Sequence, residues 1–245
     1  MAFPNTVWGS EEESFKTTST KRVPLGTKMV GEDGRIYRYV ENGGVAMVVS
    51  EMQQSPVPSA NFLVENVDTM AAGASVLTTV DSTTGDGAAN LFEDGYVLSQ
   101  TAGDLNPLYR IKSNTLINAT PVAGQNTITL YNPLEAAIAA ASTISYFPNP
   151  WRDVIQTVAT TPTALVLGAA VKAIALDAFG WICSGGPAAV LNGGTTTVIS
   201  DPCGPGDVAG STIPIAATEL TVPVYGHVLV AGTSGQDCVV FLQID

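Results

Sequence analysis

The chain has 245 residues, 45% of them hydrophobic and only 13% charged, with a formal net charge of −12. That length can bury a real core, as one large domain or two smaller ones, and the composition excludes disorder except at the ends. Neutralising phosphates needs clustered cations, so the acidic balance argues against nucleic acid as a partner, and no apolar run is long enough for a transmembrane helix.

Residues 1–24 form a polar arm, "SEEESFKTTSTKR" at its centre, with the isolated aromatics Phe3, Trp8 and Phe15. The start lacks a basic stretch leading into an apolar run, so it does not read as a signal peptide, and the sequon at Asn118 carries no expectation of glycosylation. Such an arm has no local core to join. It is either a frayed terminus or a segment that docks its aromatics on a neighbouring subunit.

From Val23 onward the chain is a series of short runs rich in Val, Ile, Thr and Tyr, cut by turn residues. The first, "RIYRYV", lies between a Gly34 turn and Asn42-Gly43-Gly44. Alternation along a strand puts Ile36, Arg38 and Val40 on one face and Arg35, Tyr37 and Tyr39 on the other. Tyr37, Arg38 and Tyr39 are therefore candidates for a protein contact, since Tyr and Arg are enriched at interfaces. An ordinary strand with a half-buried Tyr beside an exposed Arg is the other reading. Further runs include "VAMVVSEM", "GYVLSQ", "LYRIKS", "NTITLY", "STISYF", "TTTVIS", "VYGHVLVA" and "DCVVFLQI", separated by turns such as EDG, PNP, NGG and TSG. This pattern predicts an all-β protein: sandwich or barrel domains of short antiparallel strands with an extended N-terminal arm. "LEAAIAAAS" at 134–142 has the composition for two helical turns, and "TALVLGAAVKAIALDAF" is ambiguous between helix and strand. No stretch repeats residue for residue. Asn149-Pro150-Trp151 marks a shift in composition, which predicts an arm (1–24), a β-rich domain (25–150) and a C-terminal β domain (151–245).

Charge is uneven along the chain. Six of the ten basic residues lie in the first 38 positions, and none follows Lys172, where six acids and His227 remain. A surface of one sign repels its own copies, so the C-terminal stretch is expected to face outward and the N-terminal hairpin to make contacts.

Chemistry-bearing motifs are scarce. The single histidine, His227, sits in a strand-like run, and Cys238, eleven residues on, completes no nucleophile motif. No phosphate-binding loop, dinucleotide fingerprint, zinc motif or nucleophile elbow is present. Asp81 with Asp86, and Glu93 with Asp94, offer oxygen to a Ca²⁺. Their spacing fits no calcium loop, and Asp favours turns for its own reasons. No catalytic, cofactor or metal residue is assigned. A carbohydrate-binding module would want clustered aromatics, and Trp8, Trp151 and Trp181 are far apart in sequence.

Three stretches taken in order carry a resemblance. They are "GTKMVGEDGRIYRYVENGG", "NLFEDGYVLSQTAGDLNPLYRIKSNT" with "TITLYNPLEAAIAAASTISYFPNPW", and "AFGWICSGGPAAVLNGGTTTVISD" with "YGHVLVAGTSGQDCVVFLQI". Together they resemble structural proteins of tailed-phage virions. The resemblance implies a capsid decoration or cement protein on the shell exterior, assembled in the host cytoplasm, with the major capsid protein and copies of itself, as a homotrimer, for partners and with no catalysis. Another virion part (tail tube, collar or fibre base) shares this composition. Asp104-Leu105-Asn106-Pro107, Cys183 and Cys203 depart from the family's pattern.

Cys183, Cys203 and Cys238 form no CxxC pair and read as buried thiols of a protein made in a reducing compartment. Reductant should therefore change neither migration on a denaturing gel nor the melting temperature. A covalent dimer that reductant dissolves would contradict this.

Overall fold

A computed structural model describes residues 6–79, 86–101, 106–119, 126–140, 142–215 and 222–245. The chain begins with β1 (Thr6–Gly9), a short α1 (Glu11–Ser14), β2 (Lys28–Gly31), β3 (Ile36–Glu41) and β4 (Met52–Gln54). There follow β5 (Glu65–Asn66), β6 (Val76–Thr79), β7 (Tyr96–Ser99), β8 (Tyr109–Asn114), β9 (Asn126–Leu130) and β10 (Thr143–Phe147). The last strands are β11 (Ile155–Gln156), β12 (Val166–Ala170), β13 (Phe179–Leu191), β14 (Pro202–Pro205), β15 (Thr212–Pro214), β16 (Gly226–Val230) and β17 (Asp237–Gln243). The protein is all-β, of the sandwich and barrel type.

Two units divide it: Met1–Val57 with Pro150–Asp245, and Pro58–Asn149. The expected division into 25–150 and 151–245 differs from this, for a reason of pairing. β3 lies along β13, and β4 along β11 and β12, so residues before Val57 belong with residues after Pro150. The N-terminal hairpin and the acidic C-terminal stretch are thus parts of one unit.

The first unit repeats one plan twice. Its first half has strand order β3-β13-β12-β4-β11, and its second half has β13-β17-β16-β14-β15. Outside the bulges the registers match. Tyr37 faces Cys183, which faces Ala169; at the same positions Pro187 faces Phe241, which faces His227. Gln54 faces Ile155 as Gly204 faces Ile213. In each half a parallel bridge, Asn42 to Val154 and Asn192 to Thr212, brings the first strand's end onto the last strand and nearly closes a small barrel.

The bridge follows from the turn sequence Asn-Gly-Gly, present at 42–44 and 192–194. The Asn42 amide donates to the carbonyls of Val45 (3.0 Å) and Ile174 (2.9 Å), and Asn192 donates to Thr195 (2.8 Å) and Gly232 (2.9 Å). Each asparagine also accepts from the second glycine, Gly44 or Gly194. A Cβ on Gly43 would lie 2.4 Å from the Asp153 backbone, and one on Gly193 would collide with Ser211, so both first glycines are set by close approach. Eight residues past each asparagine, Ser50 (φ 68°) and Ser200 (φ 75°) adopt the left-handed conformation that returns the chain to β4 and β14.

The barrel interiors correspond as well. Val40, Val154, Leu167, Ala170 and Ile182 fill the first, and Val190, Thr212, Tyr225, Val228 and Val240 stand at the same positions in the second. One pair is exchanged. In the first half Ile174 lies over Gly180, whose Cβ would sit 2.7 Å from the Ile174 methyl. In the second half glycine stands at the position of Ile174, as Gly232, and Cys238 fills the place of Gly180. Each solution fills the space once, as close packing requires.

The second unit has strand order β5-β10-β7-β8-β9-β6. Its core centres on Phe62, Phe92 and Tyr146, with ring centroids 4.8 to 5.6 Å apart. In the chain it is inserted between β4 and β11, where the second half of the first unit has only residues 206–211 between β14 and β15. No helix forms among the described residues of 134–142. Ile138 exchanges backbone hydrogen bonds with Met70 (2.9 Å each way) and Leu134 packs in the core, so strand pairing outweighs the helical preference of alanine.

Because the two asparagines make the same bonds, Asn42→Ala and Asn192→Ala should destabilise alike. Each change removes two hydrogen bonds that the amide donates and one that it accepts, at about 0.5–1.5 kcal/mol apiece, measured by urea unfolding. A neutral result at either position would remove the asparagine from its bridging role.

Candidate contact surface

The arm does not extend from the body. β1 pairs in parallel with β2, Trp8 opposite Val30. Thr18 then exchanges two backbone hydrogen bonds with Phe179, at 3.0 and 2.8 Å. Between these anchors the arm lies over the face of β3 and β13 that carries the tyrosines. Tyr39 stacks between Phe179 (6.1 Å) and Trp181 (5.0 Å, edge-on). Its hydroxyl meets Thr18 Oγ1 at 3.3 Å and accepts from the Arg22 backbone N–H at 3.2 Å. Over Tyr39 and Trp181 a cavity of about 140 Å³ remains, lined by Glu13, Lys16, Thr18, Arg22 and Val23.

Tyr37 and Tyr39 are therefore core residues, 0% and 3% exposed, and are corrected from contact candidates to the seat of the chain's own arm. Burial pushes the Tyr37 phenol up to about 12. Arg35 lies over its ring at 5.5 Å. Arg38 points to the opposite face, as alternation requires, and is committed there. Its guanidinium sits over Trp151 at 5.4 Å, donates to the Gly26 carbonyl at 2.9 Å and grips both carboxylate oxygens of Asp245, one at 2.6 Å. Ser184 Oγ donates to the same carboxylate at 3.2 Å. Among the arm aromatics, Trp8 is 81% exposed and Phe15 43% exposed, whereas Phe3 lies outside the described residues.

Apolar surface is instead carried by the two repeated turns. Val48 and Val49 follow the first Asn-Gly-Gly, and Val198 and Ile199 stand at the matching positions after the second. All four are about half exposed or more. Sequence reasoning read both stretches as turns and strands and missed that they are one motif written twice. The signal was present as Val40, Asn42, Gly43, Gly44, Val48 and Ser50, matched by Val190, Asn192, Gly193, Gly194, Val198 and Ser200. Ser50 ties the turns together: its carbonyl accepts from Leu191 N–H at 2.7 Å and its hydroxyl donates to Asp237 at 2.9 Å.

The titratable groups do not converge. Cys183, Cys203 and Cys238 are buried and unbridged; burial pushes the first two thiols up to about 11 and raises the third, which keeps them protonated and unreactive. His227 lies exposed on β16. Asp94 accepts from Arg110 (2.7 Å) and Tyr131 (3.0 Å), and Asp86 from Ala119 N–H, while Asp81 lies outside the described residues. Among the described residues no three His, Cys, Asp or Glu side chains are grouped to hold a metal ion, and no helix is long and apolar enough to cross a membrane. The three tryptophans form no shared surface: Trp8 is exposed, Trp151 lies under Arg38, and Trp181 is buried against Tyr39. No family model, curated protein or solved structure matches this chain.

The hydrogen bond from Arg38 holds the Asp245 carboxyl below its ordinary value, with Lys28 and Ser184 adding to it. A carboxyl depressed in the folded state contributes stability above its unfolded value, about 3.9, and loses it as pH falls through the lower folded value. Asp245→Asn should remove that acid-range component from urea unfolding measured across pH 2–6. Arg38→Ala should cost about 1.5–3 kcal/mol, the range for hydrogen bonds to a charged group. Identical pH profiles for wild type and Asp245→Asn would refute the assignment.

Proposed function

We propose that this chain is a capsid decoration protein of the tailed-phage type, which binds the exterior of the shell and cements neighbouring capsid subunits. The observation that carries the reading is the twice-repeated turn with its exposed aliphatic pair. A cement must grip more than one equivalent surface, and two like apolar turns on one compact unit supply two like grips. Linking them raises overall affinity well above that of either alone. The ordered resemblance of the three sequence stretches to virion structural proteins supports the same reading. The partners are then the major capsid protein and neighbouring copies of the chain, a homotrimer being the expected assembly, and the place of action is the virion exterior. Thiols held protonated by burial and a lone surface histidine suit a protein without catalysis. The net charge of −12 disfavours the packaged nucleic acid as a ligand.

Apolar contact predicts binding that survives moderate salt, because screening weakens charge pairs and leaves burial intact. Replacing Val48 and Val49 with Ser should weaken binding to undecorated particles, and replacing Val198 and Ile199 as well should abolish it. Each exposed aliphatic buried at a contact contributes up to about 1.5–3 kcal/mol. A density difference between particles with and without the chain should fall on the shell. Density confined to the tail would replace this reading with the tail-component one.

A further inference from the structure

The two halves of the first unit differ in one respect that their shared plan makes visible. In the first half the outer face of the barrel is covered. Tyr37, Tyr39, Trp181 and Cys183 lie beneath the chain's own arm, with Val7, Val23, Leu25 and Met29 packed against the same cluster. In the second half the residues at those four positions are Pro187, Ala189, Val239 and Phe241. Nothing in the described chain covers them: Pro187 and Ala189 are exposed, Phe241 is 45% exposed, and neighbouring Leu229 is 48% exposed. The same sheet face is sealed in one half and bare in the other.

The arm that seals the first face also carries a surplus aromatic. Trp8 stands 81% exposed on β1, the edge strand of the sheet, whose outer side pairs with nothing described. It is held away from the bare face by its own register with β2. Each copy thus has one uncovered apolar face and one unspent arm aromatic that cannot meet within the chain. Charge permits the meeting: residues 173–245 carry acids and no Lys or Arg, while Lys16, Lys21 and Arg22 offset Glu11, Glu12 and Glu13 along the arm.

We propose that a second copy of this chain docks on the outer face of the second half, placing Trp8 of its arm against Phe241 and Leu229. The contact joins two different surfaces, so it is heterologous, and repetition closes a ring or runs on as a filament. The proposal stands independently of shell binding and is read in solution with the purified full chain.

The test is sedimentation of wild type, Trp8→Ser and Phe241→Ser. Both residues reach the surface, at 81% and 45% exposed, so the circular dichroism spectrum should stay that of wild type. Wild type should sediment above the monomer, and each variant should associate about thirtyfold more weakly or worse, the loss of an aromatic anchor at an interface. Mixing the two variants should restore a dimer and stop there, because Trp8→Ser keeps an intact face and Phe241→Ser keeps an intact arm. A monomeric wild type at every attainable concentration overturns the proposal. So does an oligomer that survives Phe241→Ser, one that survives Trp8→Ser, or a mixture that stays monomeric.

Discussion

The first unit depends on a single strand shared between two barrels. β13 is thirteen residues long, and its leading part lies between β3 and β12 while its trailing part opens the second half against β17. The change of partners falls at Gly185 and Gly186. A Cβ on Gly185 would press on Ile36 at 3.2 Å, and Gly186 has φ 88°. Two glycines in a strand interior weaken it locally; here they let one strand leave its first neighbour and take up another without a break. Neither barrel owns β13 alone, so loss of order in one removes a wall from the other. The first unit is thereby bound to unfold as a whole.

Repetition also explains where the chain tolerates expansion. Both halves leave their fourth sheet position, β4 or β14, to cross toward β11 or β15. In the second half the crossing is a few residues long, and in the first it houses the whole second unit. The barrel is closed by the Asn-Gly-Gly turn, which precedes the crossing, and by the parallel bridge at Val154 or Thr212, where the crossing ends, so neither device depends on the length between. Closing a longer loop costs little once its ends are fixed, and a segment with its own aromatic core contributes its own stability. The site of insertion is thus the place where the plan asks least of the connection.

Much of the strand content was legible from runs of Val, Ile, Thr and Tyr between Gly and Asn turns, because those residues suit a pleated surface wherever it lies. Strand partners were not legible, since pairing β3 with β13 is a matter of distant complementarity. The repeat was missed because its halves share mainly the turn residues, and the strands around them differ wherever one half is covered and the other is not. The tyrosines show the same limit. Alternation correctly placed Tyr37 with Tyr39 and Arg38 opposite, but whether a face meets solvent depends on what lies over it, and here that is an arm whose polar sequence gave no sign of folding back. Of the candidate residues, Trp8 and Phe15 remain at the surface.

The exchange of Ile174 over Gly180 for Gly232 over Cys238 bears on how the two halves drifted apart. Placing isoleucine at Gly232 while Cys238 remains would overfill the second barrel, and placing cysteine at Gly180 while Ile174 remains would overfill the first. Trimming Ile174 alone would open a hole. Each residue is acceptable only in the company of its mate, so an ancestor of one kind could reach the other only through a poorly packed intermediate or a nearly simultaneous double change. Sequence similarity between the halves is then eroded in coupled steps, and the surviving identities gather at the asparagine, glycine and serine positions, where no second residue can compensate.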